Sequence, residues 1–177
     1  MSGDYFGRFP FARQVKRRSF ALRGFRVPNS SVLDRPVATG DTGSAMSEEG
    51  VELVKRAFDA LRRGKPGDAL DCFTDDVEWH NTAAFPGPRK LVGPEALVQF
   101  TTEIREPWSV GGERIEEIRT RENRVVVGVH SWGQGRGSGV PMDQRWAMSF
   151  TLRGNKIARV DVRGSFAKAL EAAGLSR

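Results

Sequence analysis

The sequence predicts an α+β domain, in which a curved, mostly antiparallel sheet is covered by three to four helices. Apolar residues recur at helical spacing near the start of the folded region, at residues 51–61, whereas polar and apolar residues alternate in several later segments. A short helical pattern closes the chain at residues 167–173. Helices followed by a run of strands are typical of α+β folds rather than doubly wound sheets. Such an arrangement can enclose a pocket.

The first half of this domain is predicted to contain two helices and one strand. The first helix is expected over Glu48–Arg63, with Ser47 as its N-cap and Pro66 beyond its end. Its apolar stripe consists of Val51, Val54, Phe58 and Leu61. A short second helix is expected over Asp68–Thr74, and the first strand is expected to begin at Val77.

The second half is predicted to contain a third helix, four strands and a closing helix. The third helix opens at Gly93-Pro94-Glu95, because proline is tolerated at the first helical position. The strands are expected over Glu113–Arg119, Arg124–Trp132, Pro141–Leu152 and Lys156–Arg163. The glycine-rich residues 133–139 are a hairpin connection, since a phosphate-binding loop would need a following helix. Ser165 is expected to cap the closing helix over Ala167–Ala173.

Charge and composition narrow the functional classes. The net charge of +6 arises mainly in residues 1–45, which carry eight Arg or Lys against three Asp. In residues 46–177, twenty Arg or Lys are nearly balanced by nineteen Asp or Glu, which argues against a specific nucleic-acid site. Cys72 is the only cysteine, so an internal disulfide is excluded and a cytoplasmic location is expected. No apolar run is long enough to span a membrane.

Residues 1–45 are predicted to be a disordered basic extension of a domain that occupies residues 46–177. The extension combines Arg, Phe, Pro, Gly and Ser without any sustained period. Met46 directly precedes the first helix, which favours Met46 as the true start and an upstream segment that is not translated. The alternatives are a twin-arginine export signal at Arg17-Arg18, an organellar presequence and a basic arm that binds polyanions.

Five motifs, in this order and spacing, resemble the SnoaL-like branch of the nuclear transport factor 2-like family. The motifs are Gly67–Leu70, Phe73–Trp79, Gly93–Ala96, Asn155–Ile157 and Ala169–Leu175. The resemblance covers residues 48–175 and implies a cone-shaped α+β barrel that commonly dimerises through the outer face of its sheet. Members include polyketide cyclases, ketosteroid isomerase-like enzymes, epoxide hydrolases, dehydratases and proteins without known catalysis. The resemblance therefore implies a fold and leaves the chemistry open.

The residues that ketosteroid isomerases require are replaced in this sequence. Aligned on residues 73–76, the position of the carboxylate base falls on Asn81, whose neutral amide cannot remove a proton. The position of the family's tyrosine falls near Ala57, and that of its protonated acid near Trp146. That isomerase activity is therefore rejected.

The leading hypothesis is a pocket that binds a small hydrophobic molecule without catalysis or a cofactor. Strand alternation and the helix stripes predict its lining residues. These are Phe58, Trp79, Asn81, Phe100, Met142, Gln144, Trp146 and Met148. Pockets of this kind orient apolar ligands through a few polar atoms, here the amides of Asn81 and Gln144. The alternative is that Trp79 and Trp146 simply fill the interior.

Two further functions stay open. Asp161, between Arg159 and Arg163, is the candidate catalytic residue for a cyclase, dehydratase or epoxide hydrolase, unless it forms an ion pair with these arginines; a histidine is the alternative base. The other is a non-enzymatic dimeric interaction module: His130 and Trp132 alternate with a row of valines, which places them on the outer face as a candidate homodimer interface. His80 and His130 lack a third ligand at suitable spacing, so no metal site is predicted.

Overall fold

A computed structural model describes residues 45–83, 85 and 87–175, and it confirms the predicted α+β fold class. The helices are α1 (Ala45–Arg62), a 3-10 helix (Pro66–Cys72), α2 (Pro94–Glu103) and α3 (Phe166–Ala172). The strands are β1 (Phe73–His80), β2 (Lys90–Val92), β3 (Trp108–Arg121), β4 (Arg124–Gly135), β5 (Pro141–Arg153) and β6 (Lys156–Arg163). In the described part of the chain, none of the helices has the length and apolar character of a membrane span.

The six strands form one mostly antiparallel sheet in the order β2-β1-β6-β5-β4-β3. Four of the neighbouring pairs are antiparallel, and β1 and β6 are parallel. The strands from β3 to β6 form a meander, as expected from the short turns between them. The short edge strand β2 was not predicted, because its three residues give no alternation to detect.

The predictions of a second helix that reaches Thr74 and of a first strand that begins at Val77 are wrong, because the chain is already extended from Phe73. Phe73 lies opposite Ile157 of β6, and the hydroxyl of Thr74 donates to the Ile157 carbonyl oxygen at 3.5 Å. A register shift between Phe73 and Glu78 breaks the alternation, so two buried residues are followed by two exposed ones. Because of this irregularity, a period of two does not show where β1 begins.

One face of the sheet, called here the inner face, packs against α1 and α2. The sheet contributes Val77, Trp79, Val125, Val127, Val129, Met148, Phe150, Val160 and Val162 to this core. The helices contribute Leu53, Val54, Ala57, Phe58, Leu97 and Phe100. The apolar stripe of α1 therefore covers the valine rows of the sheet, and their burial stabilises the fold.

The opposite face, called here the outer face, carries α3. Ala169 and Ala173 belong to a small apolar cluster with Val126 and Ala147 of the sheet. Phe166 lies over Gly128, where an added Cβ would be 3.2 Å from the phenyl ring. Thus α1 and α2 cover the inner face, whereas the closing helix packs on the other side of the sheet.

Exposure increases along the inner face toward one end, called here the open end. On β5, Phe150 and Met148 are buried, Trp146 is half-buried and Gln144 is exposed. At the other end the face is covered by α1, because a Cβ added at Gly50 would lie 2.6 Å from the Leu152 side chain. A small molecule could therefore reach the inner face at the open end.

Candidate functional site

Three polar residues on adjacent strands form a row across the open end. In the strand register, Glu113 of β3 lies opposite Ser131 of β4, which lies opposite Gln144 of β5. The Ser131 hydroxyl accepts a hydrogen bond from Trp146 Nε1 at 2.7 Å and donates to Glu113 Oε1 at 3.2 Å. Ser131 is only 2% exposed. It therefore holds the indole and the carboxylate in place and is poorly placed to react itself.

Arg105, which follows α2, fixes the other oxygen of Glu113. Its Nη2 donates to Glu113 Oε2 at 2.9 Å, and its Nη1 donates to the carbonyl oxygen of Arg62 at 2.9 Å. The last residue of α1 is thereby connected to β3 through one guanidinium. The Glu113 side chain remains 28% exposed, so part of it is accessible from solvent.

An aromatic pair forms the apolar part of the open end. The rings of Trp146 and Phe85 lie 5.3 Å apart between centroids, at an interplanar angle of 45°. Phe85 comes from the connection between β1 and β2, whereas Trp146 projects from β5. Such tilted pairs are favourable arrangements of aromatic rings. Both rings are half-buried, so part of this apolar surface remains available.

Asn81, which occupies the position of the carboxylate base of ketosteroid isomerases, has a structural role. Its Oδ1 accepts from Trp79 Nε1 at 2.6 Å, and its Nδ2 donates to the Pro88 carbonyl oxygen at 2.7 Å. Asn81 is 8% exposed, so these bonds satisfy a buried amide. They connect the loop after β1 to the indole of Trp79, which makes an edge-on contact with Phe100 at 6.2 Å.

The predicted lining residues separate into two groups. Phe58, Trp79, Phe100 and Met148 are buried members of the central core, and Asn81 is buried beside them. Met142 and Trp146 are half-buried and Gln144 is exposed, all at the open end. The first group packs the interior, so the candidate binding surface lies at the open end.

Sequence reasoning missed Glu113, Arg105 and Phe85. Glu113 is the first residue of the strand that the sequence predicts, where alternation does not yet show which face a side chain occupies. The register of β3 also shifts between Ile115 and Glu117, which interrupts the period of two. Arg105 and Phe85 lie in connections between helices and strands, where periodicity does not predict the direction of a side chain.

Asp161 lies on the outer face, away from Glu113 and Trp146. Its carboxylate accepts from Arg159 at 2.7 and 2.9 Å and from Arg163 at 3.4 Å. Burial by itself would raise the pKa of Asp161, but the hydrogen bond and charge of Arg159 outweigh it and hold the pKa below its ordinary value. The structure thus places Asp161 in the ion pair that was the alternative to catalysis.

His80 also lies on the outer face, beside Glu78. Glu78 accepts hydrogen bonds from Lys90 Nζ at 2.6 Å and from His80 Nε2 at 2.7 Å. The bond from Lys90, followed by that from His80, lowers the pKa of Glu78 from 4.5 to about 2. This carboxylate is therefore charged over the whole neutral and mildly acidic range.

Acid should weaken the fold through Glu78. Because its pKa is lower in the folded chain, its ion pairs stabilise the protein above pH 4.5, and this contribution is lost as the pH falls toward 2. Lys90→Met should therefore flatten the dependence of unfolding free energy on pH in this window, measured by urea denaturation. Lys168→Met, in α3, is the matched control. Equal pH dependence in wild type and Lys90→Met would contradict this assignment.

His130 and Trp132 lie side by side on the outer face. His130 Nε2 is 3.0 Å from Asp143 Oδ1, and its Nδ1 is 3.5 Å from Glu116 Oε1. Trp132 is 38% exposed, its ring is 5.2 Å from the imidazole, and the Arg114 guanidinium lies 5.7 Å from the indole centroid. The homodimer interface expected here stays a prediction.

Two surface depressions are lined by residues other than Trp146, Phe85, Ser131 and Glu113. One, of about 250 Å³, is located where α1 and α2 end, beside Arg105 and Arg136; the other, of about 440 Å³, adjoins the end of α3. Within the described residues, no three His, Cys, Asp or Glu side chains are grouped in a way that could hold a metal ion.

The fold, together with comparisons with known proteins, identifies the family. Residues 54–160 match the model of the SnoaL-like domain, and the chain belongs to this family. Among solved structures, a candidate SnoaL-like polyketide cyclase from Jannaschia sp. CCS1 is 19% identical, with a TM-score of 0.63 and coverage of 78% of this chain and 99% of that chain. No match was found among curated proteins.

Two further structures share the fold. A protein with a ketosteroid isomerase-like fold from Catenulispora acidiphila, solved with trimethylamine, is 18% identical, with a TM-score of 0.57 and coverage of 71% of this chain and 94% of that chain. An NTF2-like protein from Burkholderia xenovorans LB400 is 21% identical, with a TM-score of 0.57 and coverage of 71% and 96%, respectively. At these identities the similarity concerns the fold alone.

Proposed function

We propose that this protein binds a small, largely apolar molecule at the open end of the inner face. The observation that carries the proposal is Trp146, whose half-buried ring is held between a contact with Phe85 and a hydrogen bond to Ser131. A rigid aromatic surface beside a few polar atoms is the usual composition of a small-molecule site. Because the indole is already positioned, little ordering is needed on binding.

A second observation supports this proposal, namely the row of polar residues beside the aromatic surface, called here the polar row. Glu113, Ser131 and Gln144 lie along one line across three strands, on the same side of the sheet as Trp146. An apolar ligand lying on Trp146 would therefore have polar groups along one edge. The hydrophobic contact would provide affinity, and the polar row would set the orientation.

An acid–base enzyme is the second candidate function, and Glu113 is the observation that favours it. Its carboxylate is 28% exposed and lies beside the aromatic surface, whereas Asp161, His80 and His130 lie on the outer face. A carboxylate next to a bound apolar molecule can transfer protons. Glu113→Gln would then abolish turnover of a bound substrate, whereas a pure binding protein shows no turnover in either form.

Calorimetric titration with 2-naphthol tests the binding proposal. This probe has an apolar two-ring body that can lie on the indole and a hydroxyl that can reach the polar row. We expect saturable binding with one site per chain. Heats no larger than those of dilution for both 2-naphthol and its methyl ether, 2-methoxynaphthalene, would contradict the proposal.

A further inference from the structure

We infer that the open end selects uncharged ring compounds that carry a hydroxyl group, with Glu113 as the acceptor of the hydroxyl proton. This inference rests on the proposed function and names its ligand class. It assigns a specificity-determining role to Glu113.

The hydrogen-bond donors of Ser131 and of the neighbouring Trp146 are already used within the chain. Trp146 Nε1 donates to Ser131, and the single hydroxyl proton of Ser131 is directed to Glu113 Oε1. Arg105 directs its two terminal nitrogens at Glu113 and at the Arg62 carbonyl oxygen. A ligand that needs a donor from Ser131 or Trp146 would have to break one of these bonds.

Acceptor capacity, by contrast, remains at Glu113. Its Oε1 accepts from Ser131 and its Oε2 from Arg105, and each carboxylate oxygen can accept a second hydrogen bond. The side chain is 28% exposed and lies in register with Ser131 and Gln144, on the same side of the sheet as Trp146. A hydroxyl donating to a charged oxygen forms one of the stronger hydrogen bonds in proteins.

The charge of the site favours a neutral donor over a cation. Glu113 and Arg105 form an ion pair at 2.9 Å, so their formal charges cancel. An ammonium ion would lose hydration on contact with Trp146 and Phe85 without meeting an unpaired negative charge. A neutral hydroxyl has a much smaller desolvation cost and still gains the hydrogen bond to Glu113.

A pair of naphthalene probes with and without a hydroxyl proton tests this inference. 2-Naphthol carries a hydroxyl, whereas 2-methoxynaphthalene has the same ring system with the donor proton replaced by methyl. We expect the wild type to bind 2-naphthol about tenfold or more tightly in calorimetric titrations. In Glu113→Gln, this preference should fall below about threefold, with the affinity for 2-methoxynaphthalene little changed.

Glu117→Gln is the matched control, because it removes the same charge from the same strand at an exposed position. It should keep the wild-type preference, and circular dichroism melting should show that both variants are folded. Equal affinity of the wild type for both probes, or an unchanged preference in Glu113→Gln, would overturn the inference and leave the binding proposal standing. Binding of neither probe would overturn both.

Discussion

Trp79→Ala is expected to lower the free energy of unfolding by about 3–5 kcal/mol, the usual cost of truncating a buried tryptophan. Trp79 is 5% exposed and packs against Phe100 in the central core. The substitution would leave a cavity between the sheet and α2. It would also remove the donor to Asn81 Oδ1, so a buried amide would lose a partner. Urea denaturation followed by circular dichroism measures the change.

Trp132→Ala is the control for this prediction, because it removes the same side chain from an exposed position on the outer face. Its cost should be below about 1 kcal/mol, as for most surface substitutions. Trp79→Phe separates the contribution of packing from that of the hydrogen bond, since it keeps a ring and removes the donor to Asn81. A loss for Trp79→Ala no larger than that for Trp132→Ala would contradict the packed interior described above.

Trp146→Ala is expected to weaken 2-naphthol binding by about tenfold or more, with a smaller loss of stability than Trp79→Ala. The substitution removes the aromatic surface that the proposed ligand would contact. Because Trp146 is only half-buried, it leaves a smaller cavity than the loss of Trp79. Calorimetric titration gives the affinity, and urea denaturation gives the stability.

Trp146→Phe keeps an aromatic ring next to Phe85 and removes the donor to Ser131. It should therefore retain more affinity than Trp146→Ala. Trp132→Ala, on the opposite face, should bind 2-naphthol within about twofold of the wild type. Unchanged affinity in Trp146→Ala would show that the ligand does not lie on this indole.

Periodicity predicted much of the fold because the apolar stripe of α1 and the valine row of β4 face the same core. The helical stripe of Val51, Val54, Phe58 and Leu61 lies within α1, and the valine row of β4 is buried as alternation requires. Lys156–Arg163 has the bounds that the sequence predicts. The start of β1 and the three-residue β2 were missed, because one is irregular in register and the other is too short.

The candidate site was only partly predictable, because alternation gives the face of a side chain but not its depth. Met148 and Gln144 share one face of β5, yet the first is buried and the second exposed. Their difference arises from the position of α1 and α2 along the sheet, which is a tertiary property. Asn81 illustrates the same limit, since its bonds to Trp79 and Pro88 depend on the path of a connecting loop.

The side-chain indole resonances of the four tryptophans give the most direct test of where a ligand binds. In ¹H–¹⁵N correlation spectra recorded during a titration with 2-naphthol, the Nε1–H signal of Trp146 should show the largest shift. The signal of Trp132, on the outer face, should remain in place. A largest shift at Trp132, or saturation with 2-naphthol that leaves the Trp146 signal unmoved, would contradict binding at the open end.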